Sequence, residues 1–109
     1  SPLVEKMFYL AQNSVDAGCH VSDLADQLHV SASTLTKRFR QETGMAPGEY
    51  VTQLILSRAC SLLLTNDYSI SQIAKELGFS DQFYFAKFFK KQMYVSPSAY
   101  RRQMTAFLP

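Results

Sequence analysis

Apolar and polar positions alternate along this chain with a helical period. Ile70, Ile73, Ala74 and Leu77 fall at i, i+3, i+4 and i+7, one apolar stripe on a helix. Gly78-Phe79-Ser80 interrupts it: Gly can take the positive φ that ends a helix, and Ser80 is placed to cap the next one. A second helix from about Asp81 to Met93 turns Phe85, Phe89 and Met93 inward, with Phe88 beside them. Its other side carries Gln82, Tyr84, Lys87, Lys90 and Lys91. Two short helices around a tight turn containing Gly predict a helix-turn-helix, the second helix being the one that reads.

The pattern occurs twice. Val21 to Val30 (VSDLADQLHV) aligns with Ile70 to Phe79 (ISQIAKELGF), sharing Ser22/Ser71, Ala25/Ala74 and Leu28/Leu77. With one residue inserted in the second turn the match resumes, pairing Lys37 with Lys87, Phe39 with Phe89, Pro47 with Pro97 and Tyr50 with Tyr100. Two copies about fifty residues apart suit two linked binding units, not a solenoid.

In the first copy, Ser22 to His29 is the expected supporting helix, capped by Ser22, with His29 as the left-handed turn residue in the place of Gly78. Ser31 is expected to cap the reading helix, Ala32 to Thr43, and Gly44 to end it. Leu35 and Phe39 point inward. Ser33, Thr36, Lys37 and Arg40 form the opposite stripe at i, i+3, i+4 and i+7. Ahead of this copy, Pro2 to about Ala17 reads as an amphipathic helix that closes the first core. Pro47 starts a long helix to about Thr65, roughly 27 Å at about 1.5 Å per residue. Asn66-Asp67-Tyr68 is a turn, and Ser69 with Gln72 makes a capping box for the second supporting helix. Ser96-Pro97 starts a last helix to about Met104, whose Tyr100 closes the second core. The expected fold is all-α: seven helices in two helix-turn-helix subdomains joined by a long linker helix, with residues 1–46, 47–65 and 66–109 as the three segments.

The 109 residues suffice for one domain or two very small ones, and 47% hydrophobic content is enough for cores. No apolar run is long enough for a membrane span, and the N-terminus does not read as a signal peptide. Cys19 and Cys60 lack metal spacing and read as free thiols in a reducing cytoplasm. His20 and His29 lack partner ligands, so no metal or cofactor is expected. A net charge of +2 says little by itself. Its sorting says more. Lys37, Arg38, Arg40, Lys87, Lys90 and Lys91 sit on the two reading helices, with Arg101 and Arg102 beyond, while Asp23, Asp26 and Glu76 sit on the supporting helices.

The residues Ser31 to Phe39 (S-x-x-x-L-x-K-R-F), Thr43-Gly44, Pro47 and Tyr50 carry a resemblance. In the second copy it continues through Ile73-Ala74, Gly78-Phe79, Tyr84-Phe85-x-Lys87-x-Phe89-Lys90-Lys91 and Ser96-Pro97-Ser98-x-Tyr100-Arg101. Over about Val21 to Arg102 the chain resembles the C-terminal DNA-binding domain of the AraC/XylS family of bacterial transcription regulators. The resemblance implies sequence-specific binding of double-stranded DNA by a cytoplasmic regulator, most often an activator, with RNA polymerase as a partner. It also implies a sensing or dimerising domain ahead of these residues, through which any oligomer forms. The long helix resembles the family's linker, which holds two reading helices toward successive major grooves about 34 Å apart. A rod shorter than that repeat implies some bending of the DNA. Two departures stand out. Ile55 occupies a position that is often basic in the family, and Tyr94 one that is usually Gly, where the helix is expected to be strained or to stop differently.

Base contacts are expected from Ser33, Thr36, Lys37, Gln82, Phe83, Tyr84 and Lys87. Lys is suited to guanine O6/N7, Gln to adenine, and Ser or Thr to any base edge or a thymine methyl. Phe83 and Tyr84 either meet thymine methyls or sugars, or pack in the core. Phosphate contacts are expected from Ser31, Arg38, Arg40, Ser80, Lys90, Lys91 and Arg101. Asp81 is expected to aid the start of its helix through the macrodipole. Two other classes compete. An enzyme is disfavoured: no nucleophile–base pair, Walker sequence or paired carboxylates appear, and neither does the cysteine cluster of the family branch that carries an alkyl-transfer module. A helical protein-interaction module would bind without steep salt dependence, unlike a DNA-binding one.

Overall fold

The computed structural model describes residues 1–108. Among them are seven helices and no strand: α1 (Pro2–Ser14), α2 (Val21–Gln27), α3 (Ala32–Thr43), α4 (Pro47–Leu63), α5 (Ile70–Glu76), α6 (Gln82–Met93) and α7 (Pro97–Thr105). The chain divides into two compact units, Ser1–Ile55 and the residues from Leu56 on. The division falls within α4, so that helix gives its N-terminal part to one unit and its C-terminal part to the other.

In the first unit α1 and α2 both pack on α3. Val4, Met7, Ala11 and Val15 are buried, as are Leu24, Ala25, Leu35, Phe39, Val51 and Ile55. Phe8, Phe39 and Tyr50 form a ring cluster with centroids 5.1–5.6 Å apart. Each such aromatic pair adds about 0.5–1.5 kcal/mol to the burial of its area. Helix α1 is therefore the lid on this core, although it ends at Ser14 and not at Ala17. Ile55 is buried, so an apolar residue at this position serves packing.

The second unit repeats the plan, with α5 and α7 packed on α6. Ala59, Leu63, Ile73, Ala74, Leu77, Phe85 and Phe89 are buried. Phe79 lies against Phe85 and Phe88, and Phe89 meets Tyr100 at 5.5 Å, as Phe39 meets Tyr50 in the first unit. Phe88 and Met93 are only partly buried. The Tyr100 hydroxyl pairs with the Cys60 thiol, which together with burial pushes the phenol above its ordinary range.

Both turns between supporting and reading helix have the same hydrogen bonds. The Val30 N–H donates to the Ala25 carbonyl and that of His29 to Asp26. The Phe79 N–H donates to Ala74 and that of Gly78 to Lys75. These are Schellman turns, which require a left-handed residue. Gly78 supplies it at φ 85° and His29 at φ 60°, the role expected of each.

Two caps and one helix end differ from expectation in this part of the fold. Helix α2 begins at Val21 with His20 as N-cap, and the Asp23 carboxylate accepts from the His20 N–H at 3.1 Å. Ser22 therefore lies inside the helix and does not cap it. Helix α6 is capped by Asp81, whose carboxylate accepts from the Tyr84 N–H at 2.8 Å. Ser80 precedes the cap as the inserted residue. Helix α7 runs through Thr105, one residue past the expected end. The expected Ser31, Ser69 and Gly44 caps are present: Ser31 Oγ accepts from Thr34 N–H, Ser69 and Gln72 exchange both bonds of the capping box, and Gly44 sits at φ 80°.

Candidate nucleic-acid interface

Helix α3 is held by a buried stripe and a fixed start. Leu35 and Phe39 are fully buried, and Ser31 sets the first turn. The rotation this imposes turns Ser33, Lys37 and Arg40 to solvent with Thr36 half-buried beside them. Ala32, Ser33, Thr36, Lys37, Arg40 and Gln41 share this open side of the helix. Hydroxyls, an ammonium and a guanidinium on one convex helix match what a major groove offers, namely acceptor-rich base edges flanked by phosphates. Arg38 is exposed on the flank. Gln41, not among the expected contacts, lies on this face at the position equivalent to Lys91. The Ser31 hydroxyl is engaged internally, donating to Thr34 Oγ1 at 2.8 Å while accepting from the Thr34 N–H. That leaves it poorly placed to donate to a phosphate.

Helix α6 is oriented the same way by Phe85 and Phe89. Gln82, Phe83, Tyr84, Lys87, Lys90 and Lys91 are all exposed. Phe83 is 75% and Tyr84 66% exposed, which removes the core-packing alternative for both. No acidic residue lies between Gln82 and Met93, so the charges on this face are all cationic, beside exposed aromatic rings and the Gln82 amide. Ser80 is exposed at its N-terminal edge.

Arg101 is part-buried and bonded to backbone carbonyls. Its Nε donates to the Leu63 carbonyl at 2.9 Å, and its Nη2 donates to Tyr68 at 2.7 Å and Leu62 at 3.4 Å. The guanidinium thus sits on the Leu62 and Leu63 carbonyls at the C-terminus of α4, where the helix dipole is negative, and on the Tyr68 carbonyl in the turn beyond. The expected phosphate contact from Arg101 is at odds with this arrangement. Arg102, its neighbour, is exposed.

Two helix-turn-helix units in one chain, each presenting a polar cationic face on its second helix, define a DNA-binding domain of the regulator class. A sequence profile described as a helix-turn-helix domain matches residues 24–103. The transcriptional activator RhaR of Pectobacterium carotovorum is 39% identical over 90 residues, covering 83% of this chain and 32% of that protein. A protein named histidine kinase P4, from Formosa agariphila, is 33% identical over 102 residues, covering 93% of this chain and 7% of its own length. Among solved structures, the DNA-binding domain of the transcription factor AdpA in complex with a target DNA superposes with a TM-score of 0.83. It is 31% identical, covering all of this chain and 97% of that one. The chain belongs to the AraC-type helix-turn-helix family of DNA-binding transcription regulators. It spans about a third of the activator's length and far less of the kinase's. Among the described residues no helix is long and apolar enough to cross a membrane.

Proposed function

We propose that this chain is the DNA-reading part of a longer bacterial transcription activator that works in the cytoplasm and contacts RNA polymerase. Each reading helix enters a major groove, and the two occupy successive grooves of one asymmetric site. The observation that carries this reading is the repetition of one exposed stripe, Ser33-Lys37-Arg40 on α3 and Phe83-Lys87-Lys90 on α6, over equivalent buried anchors. Ser33, Thr36, Lys37, Gln82, Phe83, Tyr84 and Lys87 meet bases. Arg38, Arg40, Lys90 and Lys91 hold phosphates, with Ser80 and Arg102 at the margin. The chain itself carries no catalysis; a kinase activity, where a relative's name records one, belongs to the rest of that much longer protein. Any oligomer forms through segments outside this domain.

Selection of bound duplexes from a random pool, followed by a salt titration on the winner, tests this. The expected result is two sub-sites about one helical turn apart and an affinity that falls steeply with salt. Binding indifferent to salt, or no sequence enrichment, would reject the proposal.

A further inference from the structure

The two reading faces differ at one place, and the difference has a chemical meaning. At about 100° per residue, Phe83, Lys87 and Lys90 fall within about 60° of arc, opposite Phe85 and Phe89, just as Ser33, Lys37 and Arg40 lie opposite Leu35 and Phe39. Phe83 therefore occupies the position of Ser33. A hydroxyl there can donate or accept, whereas a phenyl ring can do neither. The ring is 75% exposed although nothing ties it to the surface, and it is flanked by exposed lysines. The cations identify the partner of this patch as a polyanion, and the ring identifies what it meets between the phosphates. The thymine 5-methyl is the one apolar group on the major-groove edge of the four bases. Against any other edge the ring would strip water from a donor or acceptor and leave it unpaired. Tyr84 lies about 100° round the helix from Phe83, to the side of this stripe.

We infer that Phe83 is a specificity-determining residue that reads a thymine methyl in the second sub-site, so that the two sub-sites are recognised by different chemistry: hydrogen bonding at the first, apolar contact at the second. This rests on the proposed DNA-binding function and adds to it the base that one residue selects.

The test uses the selected duplex, with the second sub-site defined as the one whose selectivity relaxes in Lys87→Ala. Each thymine there is replaced in turn by deoxyuridine, which removes only the methyl. The wild-type chain is expected to lose about fourfold in affinity at one thymine, the value of a single buried methyl. Phe83→Ser should be indifferent to that replacement, and Phe83→Leu should remain sensitive. Circular dichroism checks that both variants fold, as the exposure of the ring leads one to expect. If no deoxyuridine replacement in that sub-site matters, if the sub-site contains no thymine, or if Phe83→Ser stays sensitive, the inference is wrong while the DNA-binding function stands. Failure of the wild-type chain to select any sequence would overturn both.

Discussion

Gly44 and Tyr94 end the two reading helices in the same left-handed conformation, at φ 80° and φ 66°, and each N–H donates to the carbonyl four residues before it. Glycine adopts this geometry freely. Tyrosine does so against a Cβ clash of about 1–2 kcal/mol. The second helix thus stops as the first does, under strain, because the core register of Phe89 and Pro97 fixes the path of the chain.

Tyr94→Gly should therefore stabilise the second unit by about 1 kcal/mol, the relief of strain exceeding the entropy cost of glycine. The tyrosine ring is 87% exposed, so little packing is lost. Thermal unfolding should show a midpoint raised by a few degrees. An unchanged or lower midpoint would mean that the ring has a stabilising contact.

Arg101→Met should cost about 1.5–3 kcal/mol of stability, since it abandons carbonyls held by a charged donor. Arg101→Lys should rescue poorly, because an ammonium cannot span carbonyls arranged for a planar fork. At a temperature where the variants remain folded, the salt dependence of DNA binding should be unchanged. A phosphate-contacting arginine would behave the other way, with a slope reduced by about one and stability intact.

Asp81→Ala should destabilise by about 1 kcal/mol through loss of the N-cap, and Ser80→Ala should not. Chemical denaturation of both variants distinguishes them. Because Asp81 is an anion at the start of a DNA-facing helix, its removal should also leave non-specific DNA affinity at low salt equal or higher.

Cys19 should alkylate slowly. Burial, then the Asp23 and Asp16 carboxylates, push its thiol above the ordinary range. The folded thiol thus holds its proton where the unfolded one loses it. Any stability this contributes is present below the unfolded pKa and fades as pH rises through the folded one. A pH series of iodoacetamide labelling read by mass spectrometry should place the half-maximal rate above that of free cysteine. Labelling as fast as the free amino acid at pH 8 would contradict this.

Much of this architecture was legible because it is written twice. Leu35, Phe39 and Tyr50 recur as Phe85, Phe89 and Tyr100, and that spacing gave the helices, their inward faces and the left-handed role of His29. What was not legible lies where the choice is between neighbours or depends on tertiary contact. Ser80 and Asp81 are both capable caps, and only counting back from Phe89 to match Ser31 with Asp81 separates them. The Asp23–His20 bond displaced Ser22 by the same kind of local competition. Arg101 could not be placed from sequence, because its partners are backbone carbonyls far away in the chain, which leave no trace in composition. Phe83 and Tyr84 were ambiguous since aromatic residues at helical spacing are usually core, and burial alone decides.

In the proposed function the exposed stripes of α3 and α6 read bases. Affinities of Lys37→Ala and Lys87→Ala for the selected duplex and for single-base variants of it test that most directly. Each variant should lose about 1–3 kcal/mol on the selected duplex and become indifferent at one base position, a different position for each lysine. Arg40→Ala should weaken all duplexes alike. If Lys37→Ala or Lys87→Ala weakens every duplex equally, or none, the stripe that carries it does not read sequence.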